Sequence, residues 1–126
     1  FASVEMVLPD SASALQQQAA DAFNRRHFET ALQLLDRQLA QQPSDSLSLL
    51  YKGISLMELN QLGPARALFK TVFTPQSGPL QYEAAFYMAL TYEREHNYSQ
   101  ALSWLAKIPE TAPNYGKAQQ MMNELR

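Results

Sequence analysis

The sequence predicts an all-α chain of antiparallel helical hairpins, and three observations predict it. Apolar residues recur at helical spacing through most of the chain, and strand-like alternation of apolar and polar residues is confined to the first eight. Capping and turn-forming residues divide that pattern into about seven helical runs. Small residues stand twelve positions apart three times: Ala19 and Ala31, Gly53 and Ala65, Ala89 and Ala101.

The totals narrow the class. A chain of 126 residues is long enough for one domain or a short repeat array, and 46% hydrophobic against 17% charged residues supplies a core. The net charge of −2 comes from scattered residues with no basic run that could follow a phosphate backbone, so no nucleic acid is expected as partner. The absence of cysteine excludes disulfides, thiolate catalysis and cysteine-ligated zinc. No apolar run approaches the ~18 residues that a membrane span needs, so no direct membrane insertion by this segment is expected. A start at Phe1 instead of Met reads as that of a processed form or a piece of a longer chain, with any anchor upstream.

Residues 1–11, FASVEMVLPDS, read as an N-terminal extension or linker. A sharper reading has Val4, Met6, Val7 and Leu8 folding back onto an apolar surface of the same chain. Asp10 and Ser11 are N-cap candidates for a helix starting near Ala12. Leu15, Ala19, Ala22 and Phe23 then lie at helical spacing, followed by a turn near His27. Phe28, Ala31, Leu32, Leu35 and Leu39 share the face of a second helix, which Pro43 closes. Ser44, Asp45 and Ser46 can cap LSLLYKGISLMELN. Gly63 and Pro64 mark a break before ARALFKTVF, with Pro64 suited to a first turn. TPQSGP, residues 74–79, is the longest internal turn-rich stretch. The run from Tyr82 breaks at His96 and Asn97 and resumes through Ala101 and Leu105 to Pro109 and Pro113. Asn114 is placed to cap a last helix whose Tyr115, Ala118, Met121, Met122 and Leu125 share one face.

The small pairs set a repeat. Gly53 follows Ala19 by 34 residues and Ala89 follows Gly53 by 36, with the two extra residues accommodated in TPQSGP. Four residues after the second member of each pair comes a large apolar residue, Leu35, Phe69 or Leu105. Where two helices cross closely each must offer a small side chain, and the large residue one turn on fills the space against the next helix.

With this spacing the chain resembles the tetratricopeptide repeat family, whose unit is a helix-turn-helix of about 34 residues. Matching positions are Leu15, Ala19, Ala31, Leu35 and Pro43 in a first unit (12–45). In a second (46–81) they are Leu49, Gly53, Leu56, Ala65 and Phe69. In a third (82–113) they are Ala89, Tyr92, Tyr98, Ala101, Leu105 and Pro113, and residues 114–126 form a capping helix. The early tryptophan of the family is missing from every unit, Ala22 stands where tyrosine is usual, and the second unit lacks its terminal proline. The resemblance implies a right-handed superhelix, an α-solenoid, whose first helices line a concave groove that holds a partner's peptide or helix without catalysis.

That implied groove is mostly apolar: Leu47, Leu50, Tyr51, Ile54 and Met57 from the second unit, Phe86, Tyr87 and Leu90 from the third, with Phe23 and Arg94 at its edges. Glu58, Glu83 and Glu93 stand beside them. In the first unit Gln16, Gln17, Ala20 and Asn24 make one end polar. Gln16, Ala20, Tyr51, Leu47 and Leu50 stand where chaperone-tail binders of the family place basic and amide groups, which argues against that mode. The run Leu47–Leu59 is apolar almost all round and must be covered on both sides. Candidate covers are a protein or peptide segment with apolar anchors, a second copy of the chain in a homo-oligomer, or residues 1–9; alternatively Tyr51, Phe86 and Tyr87 pack on one another.

Catalytic chemistry is not expected. His27 and His96 fall at equivalent hairpin turns without Cys, Asp or His at metal-ligand spacing, so neither metal nor cofactor is expected. There is no phosphate-cradling glycine loop and no nucleophile elbow. The reading is of a non-enzymatic adaptor or scaffold for protein binding. Its alternative is a structural or self-associating soluble region of a longer membrane-anchored bacterial protein. Gln- and Ala-rich helices without cysteine lean towards the periplasm or cell envelope.

Overall fold

The computed structural model describes residues 4–126, so the first three residues of the expected N-terminal extension lie outside the described ones. Among the described residues there are seven α-helices and no strand: α1 (Ala14–Asn24), α2 (Phe28–Gln41), α3 (Ser46–Glu58), α4 (Leu62–Val72), α5 (Leu80–Arg94), α6 (Tyr98–Leu105) and α7 (Tyr115–Leu125). A short 3₁₀ turn, Pro75–Ser77, precedes α5. The chain divides into two compact units, Phe1–Ala65 and Arg66–Arg126. In the first, α1 packs on α2 and α2 on α3; in the second, α5 packs on α6 and α6 on α7.

The small residues of the repeat are all interior. Ala19, Ala31, Ala65, Ala89 and Ala101 are fully buried, as are Leu35, Phe69 and Leu105 one turn beyond the second member of each pair. Gly53 is buried too. The turns repeat with the same register. Arg26, Asn60 and His96 each adopt a left-handed conformation, with φ of 66°, 62° and 59°. The next N–H in each case reaches back five residues: His27 to the Ala22 carbonyl at 2.8 Å, Gln61 to Leu56 at 2.8 Å and Asn97 to Tyr92 at 2.9 Å. This is the Schellman closure, which satisfies carbonyls that a helix C-terminus otherwise leaves open. His96 therefore corresponds to Arg26, and His27 to Asn97: the histidines are offset by one position and are not equivalent. Each left-handed non-glycine residue costs roughly 1 kcal/mol, which the two closing hydrogen bonds offset.

Several helix ends differ from the sequence reading for local reasons. α1 starts at Ala14 because Ser13 and Gln16 form a capping box: the Gln16 N–H donates to Ser13 Oγ at 3.0 Å and the Ser13 N–H to Gln16 Oε1 at 2.9 Å. Asp10 and Ser11 lie outside it. α4 begins before its glycine and proline, because a proline in the first turn removes an N–H that has no intrahelical acceptor. Asn114 stands at the start of α7 but does not cap it. Its Nδ2 donates 3.0 Å to the Tyr82 carbonyl and ties α7 to the beginning of α5.

Two polar clusters hold the helix stacks in register. In the first unit the Asp45 carboxylate caps α3, and its Oδ2 accepts from Gln16 Nε2 at 2.7 Å, Ser48 Oγ at 2.7 Å and Gln38 Nε2 at 3.2 Å. Gln38 is 2% exposed, and Ser13 Oγ donates to its Oε1 at 2.8 Å. One carboxylate thus joins α1, α2 and α3. In the second unit Arg66 of α4 donates to Thr91 Oγ1 at 2.9 Å and to the Thr91 carbonyl at 3.3 Å. It also pairs with Glu95 and lies 4.1 Å over the Tyr92 ring. Those contacts fasten α4 to the last turn of α5.

Candidate peptide-binding site

The first unit carries a segment of its own chain on α1 and α3. From Val4 to Pro9 inward and outward side chains alternate: Met6 is 3% exposed, Val4 and Leu8 are half-buried, Glu5 is exposed and Val7 is 74% exposed. This is the periodicity of an extended strand, but among the described residues none pairs with it in a ladder. Its backbone is satisfied by side chains instead. The Met6 N–H donates to Asn24 Oδ1 at 2.7 Å, and Asn24 Nδ2 donates back to the Met6 carbonyl at 3.3 Å. Arg26 Nη1 donates to the Val4 carbonyl at 2.7 Å, while its Nη2 lies 3.6 Å from Glu5 Oε1. The Tyr51 hydroxyl donates to the Glu5 carbonyl at 3.2 Å.

Each reader is positioned by the fold. Asn24 is the last residue of α1, and Arg26 stands at the left-handed turn two residues on, so the turn aims both side chains at the same segment. Tyr51 is fixed on α3 by edge-to-face contact with Phe23, centroids 5.1 Å apart, and Phe23 makes a second such contact with Phe28 at 5.3 Å. An amide side chain that both accepts from and donates to one residue reads peptide backbone whatever the side chain, as a neighbouring strand would. Folding back thus involves Val4, Met6 and Leu8; Val7 points away, because alternation places positions 5 and 7 outward.

The residues expected to line a groove are largely interior. In the first unit Phe23, Leu50, Tyr51, Ile54 and Met57 are buried and Leu47 is half-buried. Burial runs without a break from Gly53 to Met57, as the all-round apolar character of α3 requires. In the second unit Phe86, Tyr87 and Leu90 are buried and Arg94 is exposed. Tyr87 stacks on Phe69 of α4 at 6.0 Å, and the Lys117 ammonium of α7 lies 4.3 Å over the Phe86 ring. Gln16, expected on the polar end of the groove, is consumed by the α1 cap and by Asp45.

No family model, curated protein or solved structure matches the chain. Function therefore rests on the chain's own geometry. A shallow depression of about 510 Å³ on the outer side of α1 and α2 is lined by Gln17, Asp21, Arg25, His27 and Leu34 among others, with Asp21 and Arg25 paired at 3.2 Å. None of the apolar residues expected in the groove lines it, and of the polar end only Gln17 does. Among the described residues no three His, Cys, Asp or Glu side chains converge as a metal site would require, and no helix is long and apolar enough to cross a membrane.

Asn24 appeared in the sequence only as part of a polar end, and Arg26 carried no expectation. The available signal was the period-two alternation of Val4, Met6 and Leu8, a strand pattern with no second strand to pair with.

Proposed function

We propose that this chain is a non-catalytic protein–protein interaction module of the tetratricopeptide kind, in which hairpins stacked as a right-handed superhelix hold a partner's peptide or helix on the faces of their first helices. The observation that carries this reading is the seating of residues 4–8 on α1 and α3 through side-chain-to-backbone hydrogen bonds from Asn24, Arg26 and Tyr51. That is the chemistry of peptide recognition, carried out in cis. The 34- and 36-residue steps of small residues and of left-handed turns support the repeat assignment.

Peptide display against the immobilised full chain carrying Met6→Asp, which frees the face of its own segment, tests the proposal, with the same chain also carrying Asn24→Ala, of unchanged helicity, as paired bait. Segments enriched on the Met6→Asp chain and lost when Asn24→Ala is added are expected. Equal enrichment on both baits, or none on either, counts against it.

The same seating favours a second reading, a structural region of a longer bacterial envelope protein whose binding face is occupied by its own N-terminal segment or by a second copy. Light scattering over a range of concentrations separates its forms: a constant monomer mass fits occupancy in cis, and a rise to twice that mass fits exchange between copies.

A further inference from the structure

We propose that the first unit selects a partner segment with an acidic residue between two apolar ones, followed two residues later by a third, and that residues 4–8 are the cis competitor for that segment. The inference rests on the interaction-module reading above and names the partner chemistry it implies.

The occupant shows the requirements. Asn24 fixes the central residue by both its N–H and its carbonyl, so register is set at that position and not by side-chain identity. The side chain there is Met6, 3% exposed, and the half-buried neighbours at ±2 are Val4 and Leu8, so a large apolar residue is required at the centre and apolar ones on either side. Arg26 contacts both residues that precede the centre. One guanidinium nitrogen holds the Val4 carbonyl and the other stands 3.6 Å from the Glu5 carboxylate, a fork that a basic side chain at that position would repel. Arg25, next to it, is already paired with Asp21, so the charge offered to the segment is that of Arg26. The residue after the centre, Val7, is 74% exposed and is left unselected. The pattern is apolar, acidic, large apolar, any, apolar.

A left-handed turn position accepts glycine with least strain, yet it carries an arginine here. Arg26 is therefore separable from the turn: Arg26→Gly keeps the closure and removes the charge.

The experiment uses the full chain with its own segment weakened, either by Met6→Asp, which places a charge at the buried position, or by Met6→Pro, which removes the donated N–H. The probe is a fluorescently labelled peptide of residues 1–9, FASVEMVLP, read by anisotropy after circular dichroism has shown helicity unchanged. The opened chain is expected to bind it saturably and at least tenfold more tightly than the unmodified chain, whose site is filled. Adding Asn24→Ala should weaken binding about thirtyfold, for two lost backbone hydrogen bonds. A peptide with Lys in place of Glu5 should bind about fivefold more weakly, and Arg26→Gly should erase that difference. Peptide binding that ignores both Asn24 and the Glu5-to-Lys exchange overturns the proposal. So does a dimer of the unmodified chain with exchanged segments, which makes a second copy the occupant. If both opened chains lose helicity, the segment is a fixed part of the fold and the competitor assignment fails. Display on an opened chain separates the two levels: Asn24-dependent peptides without the acidic pattern refute the specificity and leave the module reading standing, whereas no enrichment refutes both.

Discussion

Replacing Asn24 with Ala isolates the contact on which the functional reading depends. Asn24 donates one hydrogen bond to the backbone of Met6 and accepts another, at 3.3 and 2.7 Å. At about 1 kcal/mol each, their loss raises the population of the released segment by about thirtyfold. Tyr51 and Arg26 still hold the Glu5 and Val4 carbonyls, so the segment loosens without abolishing the helices. Glu5 supplies the assay. Cleavage after it by a glutamate-specific protease, followed by mass spectrometry, reports release directly, because opening is fast compared with cutting at low enzyme. The Glu5 cut should accelerate about thirtyfold in Asn24→Ala. It should accelerate less in Asn24→Asp, whose carboxylate still accepts from the Met6 N–H but cannot donate to the Met6 carbonyl. Asn123→Ala, at an exposed position of α7, should leave it unchanged. Cutting of the unmodified chain at the rate of a free peptide, or an Asn24→Ala rate within twofold of it, would refute the reasoning.

Three further outcomes follow from the fold. Asp45→Ala removes an α3 cap and the shared acceptor of three side chains, so it should destabilise the first unit by roughly 2–4 kcal/mol in urea unfolding followed by circular dichroism. Arg66→Ala removes two hydrogen bonds to Thr91, the Glu95 pair and the contact with Tyr92, and should cost about 2 kcal/mol. Trp104, the single tryptophan, reads that loss in fluorescence because it packs against Phe73 within the same unit. His96→Gly relieves a left-handed turn and should stabilise the second unit by about 0.5–1 kcal/mol in the same Trp104 unfolding curve, and Asn60→Gly in the first unit should gain less by circular dichroism, because asparagine tolerates that conformation.

The helices and their packing residues were legible because helix crossing leaves a steric signature: a small residue where backbones approach and a large one a turn later. Ala19, Ala31 and Leu35 carry that signature without knowledge of any partner. His27 and His96 fall at matching turns in the sequence but not at matching positions, because spacing alone does not reveal which turn residue takes the left-handed conformation. Asn114 looked like a cap because asparagine commonly is one, and only the proximity of the Tyr82 carbonyl redirects it. The face that seats residues 4–8 is the least legible part. An apolar stripe such as Leu50, Tyr51 and Ile54 reads the same whether it faces a ligand or the interior, and burial decides for the interior. The groups that grip the segment are polar residues at a helix end, Asn24 and Arg26, whose partner is backbone, and backbone leaves no mark on the sequence it contacts.

The central claim is that the face formed by Asn24, Arg26 and Tyr51 recognises peptide backbone. It is tested most directly by following the Asn24 side-chain amide by ¹⁵N NMR in the full-length Met6→Asp chain while the peptide of residues 1–9 is added. The account predicts that Met6→Asp shifts the Asn24 Nδ2 resonances away from their positions in the unmodified chain and that saturation with peptide returns them, with Tyr51 and Arg26 moving alongside. Saturable binding that leaves those resonances still and moves Gln17, Arg25 and His27 on the outer depression would contradict it.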